Sequence, residues 1–281
     1  MNSDPHATLP LVIINGIPSV TVSIHDRAFQ YGDGLFETIA IVDGKPALLE
    51  RHLQRLKKGL HVLGFPPLDN AALANDIKHH SGFFSDAVLK LIVTRGESKR
   101  GYKAPEQVSP TIVLSFSERN NQPEQLYKTG ISVRLCQSPV SINPKLAGLK
   151  HLNRLDQVLA RSEWSDNEIT EGLMCDPDGN VIEATSANLF LWKDNELLTP
   201  DLTRCGIAGV VRDLVMDIAQ ALDISCVIKE ISIPDCQEAD ALFLTNSLIG
   251  ILPVSSFETI TYSQSKWPHK LFEEVMNNVF T

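Results

Sequence analysis

The sequence predicts an α+β chain of two domains: a small N-terminal α/β domain over residues 1–118, a linker at 119–128 and a larger β-rich domain over residues 129–281. Three observations carry this. Strand and helix signals do not alternate as regular βαβ units would, so an all-parallel sheet is not indicated. Hairpin signatures open the chain. The stretch Ser117–Gly130 (SERNNQPEQLYKTG) then breaks all apolar periodicity with polar residues and a proline, as a boundary between domains does.

Residues 11–24 (LVIINGIPSVTVSI) read as strand, Asn15-Gly16 turn and strand. A second hairpin spans Ile39 to Leu49 and turns at Asp43-Gly44. Leu49, Leu53, Leu56, Leu60 and Leu63 then recur at spacings of four and three, a helix that ends at Gly64. Residues 87–94 and 111–116 are buried strands joined by the charged loop Arg95–Tyr102. The second half opens with a strand at 131–136. A helix from about Asn153 to Trp164 carries Leu155, Val158, Leu159 and Ser162 on one face. Strands follow at 172–175, 180–183 and 188–192, then a helix at 209–222, a strand at 225–230, a short helix near 235–239, a strand at 241–245 and a terminal helix.

Composition narrows the function. With 281 residues, 43% hydrophobic and 21% charged, the chain can bury a core without staples. A net charge of −9 argues against nucleic acid and anionic membranes as partners, both of which need a basic surface. An anionic small molecule would need local cations. Cys136, Cys175, Cys205, Cys226 and Cys236 are odd in number and form no CxxC pair, so reduced thiols in a cytoplasm are the simplest account. Met1–Pro10 has no signal-peptide pattern, and no stretch is long and apolar enough to span a membrane.

Several motifs start and fail. Gly32-Asp33-Gly34 begins a dinucleotide loop, but the third glycine is Glu37. Gly44-Lys45-Pro46 lacks Walker spacing. Asp176, Asp178 and Asn180 imitate a calcium loop, yet Val181 and Ala187 stand where a glycine and a glutamate are required, so a hairpin turn is expected. His79-His80 has no spaced third ligand and reads as a solvated pair. No metal is expected.

Three segments remain. Lys150 follows Leu146-Ala147-Gly148-Leu149 and precedes an amphipathic helix. Alone it reads as a surface lysine; beside small and apolar residues it also fits a partly desolvated, nucleophilic amine suited to Schiff-base chemistry. Glu183 ends a strand before Ala184-Thr185-Ser186-Ala187. It is either a solvent-facing acid or a carboxylate facing a protonated ring nitrogen, with small neighbours admitting a flat ring. Gly206-Ile207-Ala208-Gly209 leads into the helix carrying Val210 and Val211. It is either a simple turn or an anion cup at a helix N-terminus. Ser247 can add a hydroxyl to such a cup, and Arg55 a charge-assisted contact.

On these segments the chain resembles the fold-type IV pyridoxal-phosphate enzymes, which include branched-chain aminotransferases, D-amino-acid aminotransferases and aminodeoxychorismate lyases. The likeness runs from Asp26-Arg27-Ala28 and Tyr31-Gly32-Asp33-Gly34 to Leu252-Pro253-Val254. Leu146–Leu155 (LAGLKHLNRL) is most similar to the lyases. The resemblance implies pyridoxal 5'-phosphate at the interface of the two domains. Lys150 would carry it covalently, Glu183 would meet its ring nitrogen, and Arg55, the amides of Val210 and Val211 and the Ser247 hydroxyl would hold its phosphate.

It further implies a lyase that converts 4-amino-4-deoxychorismate to 4-aminobenzoate and pyruvate, a step in folate biosynthesis. Lys150 is the expected proton carrier and Thr38 a second catalytic residue. The dicarboxylate substrate needs cations. Arg100 is the first choice and Arg27 the second, with a structural ion pair an equal reading of Arg27. The Arg100 loop is expected to serve a second subunit, hence a homodimer. The chain departs from its relatives at Arg154-Leu155, where branched-chain enzymes carry a tyrosine. It departs from D-amino-acid enzymes at Arg100-Gly101-Tyr102 and Phe36, where those have Arg-x-His and a tyrosine. Glu37 stands where some lyases have threonine. The rival expectations are an aminotransferase of the same fold and a catalytically silent relative.

Overall fold

The computed structural model describes residues 8–104, 106–107 and 109–280. They pack into two compact units. One comprises the described residues up to Asn120, with Leu149–Asn153 and Phe280; the other comprises Asn121–Gly148 and Arg154–Val279.

The first unit is a six-stranded antiparallel sheet with helices on one face. Its elements are β1 (Leu11–Ile14), β2 (Ile17–Pro18), α1 (Arg27–Tyr31), β3 (Gly34–Val42), β4 (Lys45–Pro46), α2 (Leu49–Val62), α3 (Asn70–Ser81), β5 (Asp86–Thr94) and β6 (Thr111–Ser117), in the order β2-β1-β6-β5-β3-β4. Both hairpin turns form, with positive φ at Asn15-Gly16 and Asp43-Gly44. Their second strands are only two residues long. Pro18 has no N–H to extend a ladder, and beyond it Val20, Val22 and Ile24 stand exposed. Side chains on a strand alternate between faces. Leu35, Ile39 and Ile41 of β3 and Leu89, Leu91 and Val93 of β5 are therefore buried together, covered by Leu53, Leu56 and Leu60 of α2. Helix α3 has no signal in the sequence reading because only Leu73 and Ile77 form its apolar stripe. Asp69 caps it by accepting from the backbone N–H groups of Ala71 and Ala72.

The second unit contains α4 (Glu124–Thr129), β7 (Ile131–Leu135), α5 (Leu155–Arg161), β8 (Ile169–Cys175), β9 (Val181–Ala184), β10 (Asn188–Lys193), β11 (Glu196–Pro200), α6 (Val210–Ala221), β12 (Cys226–Lys229), α7 (Ile233–Glu238), β13 (Ala241–Asn246), β14 (Gly250–Phe257), β15 (Ile260–Thr261) and α8 (His269–Val279). Its mixed sheet runs β12-β11-β10-β13-β14-β7-β8-β9, with β15 added to β14. One core joins Leu189, Leu191, Leu242, Leu244, Leu252 and Val254 from inner strands to Ile231 and Cys236. On the opposite face Phe190 stacks on Phe243, which meets Phe272 of α8 edge-on.

Several sequence expectations change here. Residues 119–128, expected as a linker, include the start of α4, whose Tyr127 hydroxyl donates to the Ile249 carbonyl, and the stretch from Asn121 belongs to the second unit. The helix expected over 153–164 is only Leu155–Arg161. Its apolar face lies open, with Leu155 74%, Val158 56% and Leu159 61% exposed. Strands β11 and β14 have no counterpart in the sequence reading. In β14, Pro253 has no N–H to give an inner strand, but β7 pairs only from Val254 onward, and a proline is tolerated where a ladder position goes unused. At 176–180 the turn expected from the failed calcium motif forms. Asp176 accepts from the backbone N–H groups of Asp178 and Asn180.

Candidate active site

In the first unit, Lys150 is held by a sheet edge. The sequence placed its amine at a helix mouth; instead Leu149–Asn153 runs antiparallel beside the start of β3. Phe36 N–H donates to the Lys150 carbonyl at 2.9 Å, Leu152 N–H donates to the Gly34 carbonyl at 3.1 Å, and His151 bridges Leu35. This register decides which way the lysine faces. Leu149 is buried beside Gly59 of α2, so Lys150 shares the other face with Phe36, and its Nζ lies 4.4 Å from the centre of that ring. Thr38, two residues along β3, is half-buried on the same face. Gly34 is required at the crossing, since a Cβ there would meet the Val93 carbonyl and the Leu152 side chain.

Glu37 faces the opposite way, into the core under α2. Arg55 binds it with two donors: Nε to Oε1 at 2.9 Å, and Nη2 to Oε2 in a very short contact. His52 Nδ1 lies 2.6 Å from Oε2. Burial by itself would raise the Glu37 carboxyl, but the Arg55 charge and the hydrogen bonds from His52 and Arg55 outweigh it and hold the group at about 2. His52 is driven down chiefly by its own burial. It is therefore a neutral imidazole donating from Nδ1 to a carboxylate that can only accept. Arg55, expected as a phosphate ligand, thus spends Nε and Nη2 on Glu37.

Arg27 is buried. Its Nε donates to Asp33 at 2.7 Å, Nη1 to the Ser98 hydroxyl and the Gly101 carbonyl, and Nη2 to the Tyr102 carbonyl. Its guanidinium also lies over the Tyr31 ring. These contacts make Arg27 the strap of the loop that presents Arg100, which is itself exposed. Arg95 Nε donates to the same Asp33 Oδ2 at 2.8 Å, and the two arginines pull the Asp33 carboxyl down against its burial.

In the second unit, Glu183 is the penultimate residue of β9 and a buried carboxylate. Its Oε2 accepts the Ile207 backbone N–H at 2.8 Å, and its Oε1 accepts Gln157 Nε2 from α5 at 3.3 Å. The glycine turn is shaped around this acid. Gly206 has φ +83, and a Cβ there would sit 2.7 Å from Leu202 and 2.8 Å from Ile182. Asn188, at the start of β10, donates Nδ2 to the Ile207 carbonyl at 2.7 Å, while its Oδ1 occupies the space a Gly209 Cβ would need. Gly209 caps α6, so the amides of Val210 and Val211 are among the helix's first N–H groups, which have no acceptor within the helix. Asn188 pairs with Thr245, which places the end of β13, and Ser247 just after it, beside the same strand start. Arg154 feels the Glu183 charge, although burial leaves its guanidinium below its usual range.

Nothing local in the sequence marks His52, Gln157 or Asn188. Each lies within one helix turn or one strand pair of a residue that was singled out, yet such a pairing is visible only once register is known. The second unit also fits an aromatic phosphate ester: it carries an orphan-amide helix start and a buried acid held by two donors.

Residues 34–257 match the family model described as amino-transferase class IV. The chain is 33% identical over 247 residues to an aminodeoxychorismate lyase of Vibrio harveyi, covering 86% of this chain and 89% of that protein. It is 31% identical over 240 residues to a putative branched-chain-amino-acid aminotransferase of Methanocaldococcus jannaschii, covering 83% and 81%. Among solved structures, a 4-amino-4-deoxychorismate lyase from Pseudomonas aeruginosa superposes with a TM-score of 0.91 at 42% identity, covering 96% of this chain and all of that one (100%).

Proposed function

Because this chain belongs to the amino-transferase class IV family, we propose that it is a pyridoxal-phosphate lyase that splits 4-amino-4-deoxychorismate into 4-aminobenzoate and pyruvate. The observation that carries the reading is Lys150, locked by backbone hydrogen bonds beside Phe36 and on the face of β3 that also bears Thr38. The 42% identity to a lyase across nearly the whole chain favours this over an aminotransferase.

Lys150 would hold the cofactor, with Arg55, the Val210 and Val211 amides and Ser247 on its phosphate and Glu183 on its ring nitrogen. When bound, the cofactor supplies an electron sink for the carbanion that proton removal leaves. Lys150 Nζ takes the proton from the amine-bearing ring carbon. The ether bond to the enolpyruvyl group then breaks, the ring becomes aromatic, and the departing enolpyruvyl carbon takes a proton, from Lys150 or from the Thr38 hydroxyl, to become pyruvate. Glu183, fixed by Ile207 N–H and Gln157, keeps its carboxylate oriented without help from solvent. Arg100 receives a substrate carboxylate, and Arg27 acts by holding its loop.

The working form is a homodimer in the cytoplasm, where the five cysteines, none paired with another, stay reduced. Two open apolar surfaces support the dimer: Leu155, Val158 and Leu159 on α5, and Val20, Val22, Ile24 and Phe29 in the first unit. No helix among the described residues is long and apolar enough to cross a membrane.

Incubation of the purified protein with aminodeoxychorismate alone tests the activity. Pyruvate and 4-aminobenzoate should appear in equal amounts with no 2-oxoacid added; absence of both, or a requirement for a 2-oxoacid, ends the lyase reading. Lys150→Ala should be colourless and inactive.

A further inference from the structure

Lys90 is a cation that neither the family likeness nor the reaction outlined above employs. It lies on β5, an inner strand, directly opposite Thr38 of β3 in the antiparallel register. Its side chain therefore leaves the face opposite the helix-covered core, the face shared by Phe36, Thr38 and Lys150. Its ammonium lies 5.3 Å from the centre of the Phe36 ring, and that of Lys150 lies 4.4 Å from the same centre. The two nitrogens are no farther apart than these distances laid end to end.

An exposed lysine ordinarily needs no explanation, but this placement does. The protein is acidic overall, yet Lys90 joins no carboxylate among the described residues, while a second ammonium shares its aromatic neighbour. The ring's negative face offsets part of the repulsion between two such cations. An anion between or beside them would offset the rest.

We propose that Lys90 is a specificity-determining residue that receives the carboxylate of the enolpyruvyl group, the part of the substrate that leaves. The assignment rests on the lyase reading, with Lys150 at the amine-bearing carbon. Residues directly opposite on paired strands have Cβ atoms about 5 Å apart, so the Lys90 ammonium reaches the surroundings of the Thr38 hydroxyl. A group protonated near Thr38 thus brings its carboxylate to Lys90. Arg100 is left for the ring carboxylate, and each substrate charge meets its own cation.

The test is steady-state kinetics on wild-type, Lys90→Gln and Lys90→Arg holoenzymes, with 4-aminobenzoate and pyruvate as product inhibitors. Losing one charge-assisted hydrogen bond corresponds to about 10- to 100-fold in affinity. Lys90→Gln should raise KM for aminodeoxychorismate by that factor and weaken pyruvate inhibition. Inhibition by 4-aminobenzoate, which lacks the enolpyruvyl group, should stay within about twofold, and so should the cofactor's visible spectrum. Lys90→Arg should recover most of the loss. If KM is unchanged in Lys90→Gln, or if 4-aminobenzoate inhibition weakens as much as substrate binding, the assignment is overturned. A wild-type enzyme that releases no pyruvate instead sinks the lyase reading, so the two failures are told apart.

Discussion

Glu37 offers the sharpest quantitative test of the first unit, because a single carboxylate there sits in the core with both oxygens committed. Its carboxyl titrates at about 2 in the folded chain against an ordinary 4.5. At about 1.4 kcal/mol per pH unit, that gap corresponds to about 3 kcal/mol of stability. The contribution is complete above pH 4.5 and drains away as the pH falls towards 2, since a depressed pKa means that the unfolded chain takes up the proton first. Glu37→Gln keeps the shape but leaves the Arg55 guanidinium facing a neutral amide. Breaking a buried pair from one side costs about 3–5 kcal/mol, in line with the titration figure.

The assay must report on the right unit. Trp164, Trp192 and Trp267 all belong to the second unit, so tryptophan fluorescence would miss the effect. Hydrogen exchange of peptides from β3 and α2, followed by mass spectrometry, reads it directly. At pH 7 these peptides should exchange through an opening about 3 kcal/mol easier in the variant, and the difference should shrink as the pH drops below 4. A Glu37→Gln protein within 1 kcal/mol of wild type at pH 7, or a gap that does not narrow in acid, would refute the claim that this carboxylate is an ionised anchor for Arg55.

Other consequences follow from the same geometry. Gly206→Ala places a Cβ against Leu202 and Ile182 at a positive φ. Strain and overpacking of about 2–4 kcal/mol should lower the melting temperature and displace Ile207 N–H from Glu183, read as weaker cofactor retention on dialysis. Asn188→Ala removes the donor to the Ile207 carbonyl. We expect cofactor affinity to fall about 10-fold while β10 stays protected from exchange, and equal affinity would dismiss Asn188 as a support of the cup. Arg27→Met releases the carbonyls of Gly101 and Tyr102. Limited trypsin digestion should then cut after Lys99, Arg100 or Lys103 faster than in wild type; an unchanged cleavage rate would mean that the loop is held by other contacts. Leu155→Lys with Leu159→Glu should shift sedimentation from dimer to monomer if the open face of α5 is a subunit contact, and a dimer that persists rules that face out.

Much of the fold was legible wherever local signals were strong. The Asn15-Gly16 and Asp43-Gly44 turns follow from residues that accept positive φ, and α2 follows from a leucine stripe that ends at Gly64. Strands β5, β6, β7 and β13 were visible as apolar runs between breakers. Helix α3, with two apolar residues on its stripe, and β14, interrupted by Pro253, were not, because what holds them is packing and pairing with distant segments.

The candidate site divides in the same way. Chemical identity is local, so a lysine after LAGL, an acid before ATSA and glycines before a helix could be picked out of the sequence, along with the family likeness they carry. Orientation is not local. The alternation of faces along β3 sends Phe36 and Thr38 one way and Glu37 the other. The pairing of Leu149–Asn153 against that strand sends Lys150 towards Phe36. Register between β3 and β5 puts Lys90 across from Thr38. A shift of one residue in a pairing would turn the shifted segment's side chains to the other face without altering a letter of the sequence, and only the packed core, which must keep Leu35, Ile39 and Leu91 out of water, selects the register observed.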